Sequence, residues 1–251
     1  MSSGPKLQAL AYPTVSAIIT AYNSADYIGD ALESVRRQTM RPTEIIVVDD
    51  GSTDRTQATI RDLGEDIRYF YQDNRGEASA RNRGIAVAVG EAIAFLDADD
   101  AWPPNRLATL SARLTEGGPF SIACGRARAF EKESWIEALS PGPGRPEAFL
   151  MSFGCALIRR EVFRVIGHVD VTMQHGVDLD WFLRCREHKV PIATIDDIVL
   201  LYRRHGQNMT RDFAAGREGL MRTVKQSLDR RRKANTVVES LLSWENLGRG
   251  N

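Results

Sequence analysis

The sequence predicts one α/β domain built on a doubly wound, mostly parallel sheet, with a helical extension at its C-terminus. Two observations carry that expectation. Short runs rich in β-branched residues alternate four times with segments of helical periodicity over the first hundred residues. Three of those runs then end in polar or acidic clusters, as expected of an open α/β sheet that takes its ligand at the carboxyl edge.

The first strand is VSAIIT (15–20), apolar enough to be buried on both faces. Residues 26–38 follow with Ile28, Leu32 and Val35 at helical spacing, and Pro42 ends that unit. EIIVVD (44–49) reads as the second strand, broken by Gly51. Asp54 can cap a helix running to Leu63, with Gln57 three residues on. The third strand is 67–71, a small-residue helix spans 76–89 and closes on Gly90, and AIAFL (92–96) is the fourth strand.

Beyond Leu96 the rhythm changes. Helices are expected at 105–114, 160–165 and 178–187, and strands at 120–129, 191–195 and 199–202. PGPGRP (141–146) is compatible only with a loop. Residues 216–233 are helical and basic, ending in Arg230, Arg231, Arg232 and Lys233. Such a run is ordinarily a solvated face, and it can also guide a chain to anionic lipid or a partner enzyme.

Composition narrows the class. The 251 residues suit one large domain, and 33 Lys and Arg balance 33 Asp and Glu, unlike a dedicated nucleic-acid binder. Three scattered cysteines without a CxxC pair fit a reduced compartment and no zinc site. No signal peptide or membrane-length apolar segment is visible. The expectation is a cytoplasmic protein, with peripheral attachment at the inner membrane face left open.

The strand ends hold the chemistry. Thr20-Ala21-Tyr22-Asn23 leaves strand one, Asp49-Asp50 leaves strand two, and Asp97-Ala98-Asp99-Asp100 leaves strand four. Five carboxylates on one edge repel unless a cation or hydrogen-bond donors intervene, and a metal-assisted site accounts for them economically. Mg²⁺ or Mn²⁺ takes few protein oxygens and fills its shell with phosphates and water. In Asp97-x-Asp99 one carboxylate can hold the ion while the other accepts from a ribose. Alternation along a strand leaves Asp50, not Asp49, to reach the cleft. Tyr22 can lie against a base or simply pack.

The stretches VSAIITAYNSADYI (15–28), EIIVVDDGSTD (44–54), NRGEASARNRGIAVAVGEAIAFLDADD (74–100) and GVDLDWFLRC (176–185), in that order and spacing, resemble the family 2 glycosyltransferases. The resemblance implies the A-type (GT-A-like) nucleotide-diphospho-sugar transferase fold and an inverting transferase with a nucleotide-diphosphate donor, a UDP-sugar above all. It implies residues 14–100 as the nucleotide-binding half, 101–210 as the acceptor-binding half, 1–13 as a tail and 211–251 as a basic helical extension. Thr20, Ala21, Tyr22, Asn23, Asp50, Arg81, Asp97, Ala98 and Asp99 fall where the family binds the donor. Asp99 matches the direct metal ligand, and His205 matches a late histidine that adds a metal or phosphate contact in some relatives. The implied cofactor is Mn²⁺ or Mg²⁺.

Asp178 falls at the family's catalytic base, although Val177 stands where a Glu is usual. Asp180 is the alternative, turned about 200° away on a helix. The acceptor is open among a saccharide, a lipid-linked sugar, a small molecule and a peptide. Trp102, Trp135, Phe149 and Trp181 are available for stacking, with core packing as the plain alternative. The competing readings are a catalytically inactive nucleotide-sugar-binding or partner-binding domain and a DxD phosphatase. The phosphatase needs an Asp nucleophile after strand one, where Thr20 stands. No Gly-rich triphosphate loop follows that strand to favour a nucleotidyltransferase.

Overall fold

Strand β1 (Val15–Ala21) is buried along its whole length because it is paired on both sides. Its neighbours β2 (Glu44–Asp49) and β4 (Ala92–Asp97) both run parallel to it, and β3 (Ile67–Tyr71) extends the parallel half beyond β2. The crossovers are helices α1 (Ile28–Arg36), α2 (Thr56–Asp62) and α3 (Glu77–Val87). The structure, a computed structural model, describes residues 12–131, 134–140, 147–206 and 213–234. The 141–146 loop and most of the N-terminal tail lie outside these.

Past β4 come α4 (Arg106–Glu116), β5 (Ile122–Phe130), β6 (Glu147–Phe149), β7 (Ala156–Arg159), α5 (Arg160–Ile166), α6 (Val177–Glu187), β8 (Ile192–Arg203) and α7 (Phe213–Ala234). The strand order is β3-β2-β1-β4-β7-β5-β6, with β8 paired to β5. β7 is antiparallel to β4 and β5, whereas β8 runs parallel to β5. The parallel half as expected and a mixed second half make one doubly wound domain.

Successive β1 residues point to opposite faces and meet different helices. Ala17 and Ile19 share a core with Leu32 and Val35 of α1 and Leu107, Leu110 and Leu114 of α4. Ile18 faces Ala80 and Ile85 of α3 and, through Phe95, the aromatic cluster Phe153, Phe163, Trp181 and Phe182. α3 lies unusually close to the sheet: a Cβ on Gly84 would stand 2.5 Å from Ile18 Cγ2. The small residues of ASARNRG are therefore a packing requirement.

The structure corrects several expectations. The strands expected at 191–195 and 199–202 are one twelve-residue strand, β8, whose register to β5 shifts near Arg126. β6 and β7 were not anticipated. α3 ends at an extended Ala88, before Gly90. Arg55, not Asp54, is the N-cap of α2 and makes no side-chain cap bond; Asp54 accepts from Thr56 N–H at 2.9 Å from one residue earlier. Trp102, Trp135 and Trp181 are core residues, essentially without exposure, so they offer no stacking surface to an acceptor. The three cysteines are buried and unpaired.

Candidate active site

β1 and β4 are where the strand order reverses, so their carboxyl ends border the crevice that an open α/β sheet offers to a ligand. Thr20 is opposite Asp97 in the ladder, and its hydroxyl donates to Asp97 Oδ1 at 3.3 Å. The same oxygen receives Arg81 Nη2 at 3.2 Å, while Arg81 Nη1 reaches Asp178 Oδ1 at 2.6 Å. Arg81 also pairs with Glu77 one turn earlier on α3. A single guanidinium, with a side chain only 4% exposed, thus ties β4 to the start of α6. Its fork suits this task, since two carboxylates can be held in fixed directions at once.

The surroundings lock that arrangement. Arg81 lies over the Phe153 ring at 5.1 Å, and Phe153 N–H donates to Asp178 Oδ2 at 3.0 Å. Asn82, next along α3, exchanges two hydrogen bonds with the Val169 backbone. In Ala80-Arg81-Asn82-Arg83-Gly84 the small residues press on the sheet, Asn82 anchors the loop before α6, and Arg81 faces the crevice. Burial, with the negative charges of Asp97 and Asp178 against the opposing Arg81, raises the Glu77 carboxyl above its ordinary range.

Asp99 follows two residues after Asp97 and stands 2.8 Å from His205 Nε2. Its carboxyl is raised by burial and by the charge of Asp97, with His205 opposing. The end of β8 clasps this loop. Ala101 and Leu201 exchange backbone bonds, Arg203 N–H donates to Asp100 Oδ1, and Arg203 Nε donates to the Asp99 carbonyl. Arg203 further pairs with Asp30 of α1, and Tyr27 stacks on the His205 ring at 4.8 Å.

Among the described residues no cluster of three His, Cys, Asp or Glu is placed to hold a metal. The residues present nonetheless fit a divalent ion. Asp99 and His205 supply one oxygen and one nitrogen in contact range, and a cation would relieve the crowding of Asp99 against Asp97. A carboxylate completed by phosphate and water is a usual set for Mg²⁺ or Mn²⁺, and the imidazole beside it would add a less usual nitrogen ligand.

The structure divides the remaining candidates. Asp50 is 4% exposed, and its oxygens accept from Arg75 N–H, Gly76 N–H and Gln72 Nε2 at 2.7–3.0 Å. It holds the turn into α3, where Gly51, at φ +83°, lets Asn74 N approach to 2.6 Å of a would-be Cβ. Asp49 is fully buried between Ser52 N–H and the Tyr69 hydroxyl. Tyr22 is half exposed, and Asn23 adopts φ +47°, its side chain accepting from Thr53 N–H. Ala21 and Ala98 are buried, and Ala98 N–H donates to Thr20 O at 3.1 Å, joining the two strand ends. Asp180 points elsewhere: its oxygens pair with Arg184 and Arg230, at 2.9 and 2.8 Å.

The match to Glycosyl transferase family 2 covers residues 16–167, well over half of the chain. The chain belongs to glycosyltransferase family 2. Among similar proteins, an uncharacterized glycosyltransferase of Nostoc sp. is 46% identical over 37% of this chain and 30% of its own length. One from Rickettsia typhi is 32% identical over 68% of this chain and 58% of its own length. The family 2 chain thus spans a third to three-fifths of these relatives.

Solved structures share the fold at low identity. S. aureus TarS 1-349 in complex with UDP-GlcNAc superposes with a TM-score of 0.65 at 18% identity, over 79% of this chain and 61% of that one. The mannosyltransferase PcManGT from Pyrobaculum calidifontis, in complex with GDP-Man and Mn²⁺, also gives 0.65, at 19% identity, over 87% and 65%. The nucleotide-diphospho-sugar transferase fold is thereby established.

Glu77, Phe153 and Arg203 were not singled out from the sequence of this family 2 chain. For Glu77 the signal was present, because Glu77 and Arg81 are four apart on one helix face. Phe153 acts through its backbone and ring, which no motif advertises.

Proposed function

We propose that the protein transfers a sugar from a nucleotide-diphosphate donor, a UDP-sugar by preference, to an acceptor nucleophile with inversion. The observation that carries this is the Thr20–Asp97–Arg81–Asp178 chain of hydrogen bonds at the carboxyl ends of β1 and β4. It sets a carboxylate across the crevice from the DxD turn, as single displacement needs.

In this reading Asp178 takes the acceptor proton as the acceptor attacks the anomeric carbon and the bond to the diphosphate breaks. Arg81 and Phe153 N–H hold the Asp178 carboxylate in one orientation. Asp97 and Thr20 contact the donor beside the ribose, with Ala21, Tyr22, Asn23 and Ala98 forming the backbone and wall of the base site. Asp50 shapes that site through the Arg75–Gly76 turn and offers any remaining lone pair to the base. Asp99 and His205 would hold the divalent ion, which supplies positive charge to the diphosphate leaving group. Asp178, rather than Asp180, is the base because Asp180 is committed to two arginines.

A second reading, a nucleotide-sugar-binding domain without catalysis, draws on Asp178 having both oxygens engaged and on Val177 beside it. One experiment separates the two. UDP-sugars are screened by thermal shift with and without Mn²⁺, and their slow hydrolysis is followed in wild type, Asp99→Ala and Asp178→Asn. Turnover should fall in both variants, while Asp178→Asn keeps its thermal shift. A shift without turnover in wild type supports the binding domain. No shift with any nucleotide sugar defeats both.

A further inference from the structure

An amphipathic helix on a globular domain normally buries its apolar stripe. α7 does the reverse. Its inner face, against α6, is small and polar: Thr223 and Ser227 are fully buried, Gly219 packs against His175, and Arg230 pairs with Asp180 and Glu187. Ser227 donates to Glu187 as well. A Cβ on Gly176, the residue just before α6, would come within 2.6 Å of Thr223 Oγ1. These contacts fix the rotation of α7 about its axis, so its other side cannot turn inward.

That other side carries Leu220, Met221, Val224 and Leu228, with exposures of 46%, 68%, 38% and 39%. At 100° per residue the four fall within roughly a 100° arc. Cations accompany them. α7 has seven Lys and Arg against two Asp and Glu, in a chain whose total is balanced. Lys225 and Arg232 flank the arc beside Met221, and Arg217 falls within it. Their long stems can lie along apolar material while the charged heads reach outward. Among the described residues no helix is long and apolar enough to cross a membrane.

We propose that the outward face of α7 docks the protein on an anionic lipid bilayer, its four apolar side chains entering the headgroup boundary and its cations meeting lipid phosphates. Charge complementarity selects this partner. A protein groove would satisfy the stripe alone, whereas a surplus of four cations on one helix, Arg230 being taken up by Asp180 and Glu187, calls for an extended anionic surface. The helix lies on the bilayer and does not span it. Because α7 rests on α6, which begins beside Asp178, docking would hold the candidate site close to the membrane. The proposal goes beyond the donor reading and does not depend on it.

The test is sedimentation of the full chain with vesicles of phosphatidylglycerol and phosphatidylcholine in equal parts, against phosphatidylcholine alone. Binding should occur only to the anionic vesicles and weaken with salt. Met221→Asp/Leu228→Asp should lower the partition about tenfold or more, and Lys225→Gln/Arg232→Gln by about tenfold. All these positions are exposed, and far-UV circular dichroism checks that the variants fold. Their UDP-sugar thermal shift without vesicles should match wild type, so failure of the donor reading and failure of docking are distinguishable. Three results overturn the proposal: no binding of the full chain to anionic vesicles, binding unaltered by the apolar variant, or light scattering that shows a dimer dissolved by Leu228→Asp in its place.

Discussion

Replacing Arg81 by Met tests the centre of the site, because it removes the cation and keeps most of the aliphatic stem. Arg81 is 4% exposed, whereas the side chains of Glu77, Asp97 and Asp178 keep 38%, 37% and 23% of their exposure. Breaking a fully buried ion pair costs about 3–5 kcal/mol, and an exposed pair is worth at most about 1 kcal/mol. Water reaches these carboxylates in part, which softens the loss of the cation. An intermediate loss of about 2–3 kcal/mol follows. For a domain of this size that lowers Tm by roughly 4–12 °C. Urea unfolding followed by circular dichroism measures the loss, with Arg81→Lys as the companion. Lysine restores one charge but not the fork, so it should recover part of the stability and little of the donor hydrolysis. A change below about 0.5 kcal/mol in Arg81→Met, the range of ordinary surface substitutions, would refute the bridging role.

Three further outcomes are expected. Gly84→Ala should lower the urea midpoint: helix propensity favours alanine by about 1 kcal/mol, but a Cβ 2.5 Å from Ile18 Cγ2 costs about 1–3 kcal/mol in overpacking, and a raised midpoint would contradict the close approach of α3. Glu44 is pushed up by burial but more strongly held down by donors from Ser16, Val89 N–H and Arg68, so its folded pKa lies below the unfolded 4.5. Its contribution is complete above that value and fades as the pH falls through the folded pKa, so the stability gap to Glu44→Gln should be widest near neutrality and close in acid; a gap independent of pH speaks against it. Asp178→Asn should abolish turnover and lower Tm by loosening Arg81 and Phe153 N–H, whereas Asp180→Asn should lower Tm by loosening Arg184 and Arg230 and keep turnover; turnover lost in Asp180→Asn and kept in Asp178→Asn would make Asp180 the base.

In the parallel half, β1, β2 and β4 were legible because each is buried on both faces and reads as an unbroken apolar run, whereas the edge strand β3, partly exposed throughout, showed itself by its aromatic residues. β7 was not legible, since Ala156–Arg159 offers three apolar residues before α5 begins, too few to show a period. β8 read as two pieces because its middle, Ile195 to Ile198, is partly exposed and carries Asp196 and Asp197 where the register to β5 shifts. Of the candidate site, Asp97 and Asp99 were legible because strand ends are local, whereas Arg81 came from the resemblance to the family. The pairing of Asp99 with His205 spans 106 positions, and only the motif order linked them. Alternation along β2 pointed Asp50, not Asp49, to the cleft, and what it did not reveal is that backbone donors at 75 and 76 hold the Asp50 carboxylate at the turn into α3.

The acidic edge first read as an argument for a metal has a narrower meaning in the folded chain. Asp49 is held by Ser52 N–H and Tyr69, Asp50 by the α3 turn, Asp97 by Thr20 and Arg81, and Asp100 by Arg203 N–H. Repulsion among them is met by fixed donors, so their number alone requires no cation. Asp99 differs, because its carboxylate meets an imidazole, that of His205, which can itself serve as a ligand once neutral. Its carboxyl is also raised by burial and by the like charge of Asp97 while its side chain stays partly exposed. The case for a metal therefore rests on the Asp99–His205 pair, and a chelator should affect whatever that pair does while leaving the other four carboxylates in place.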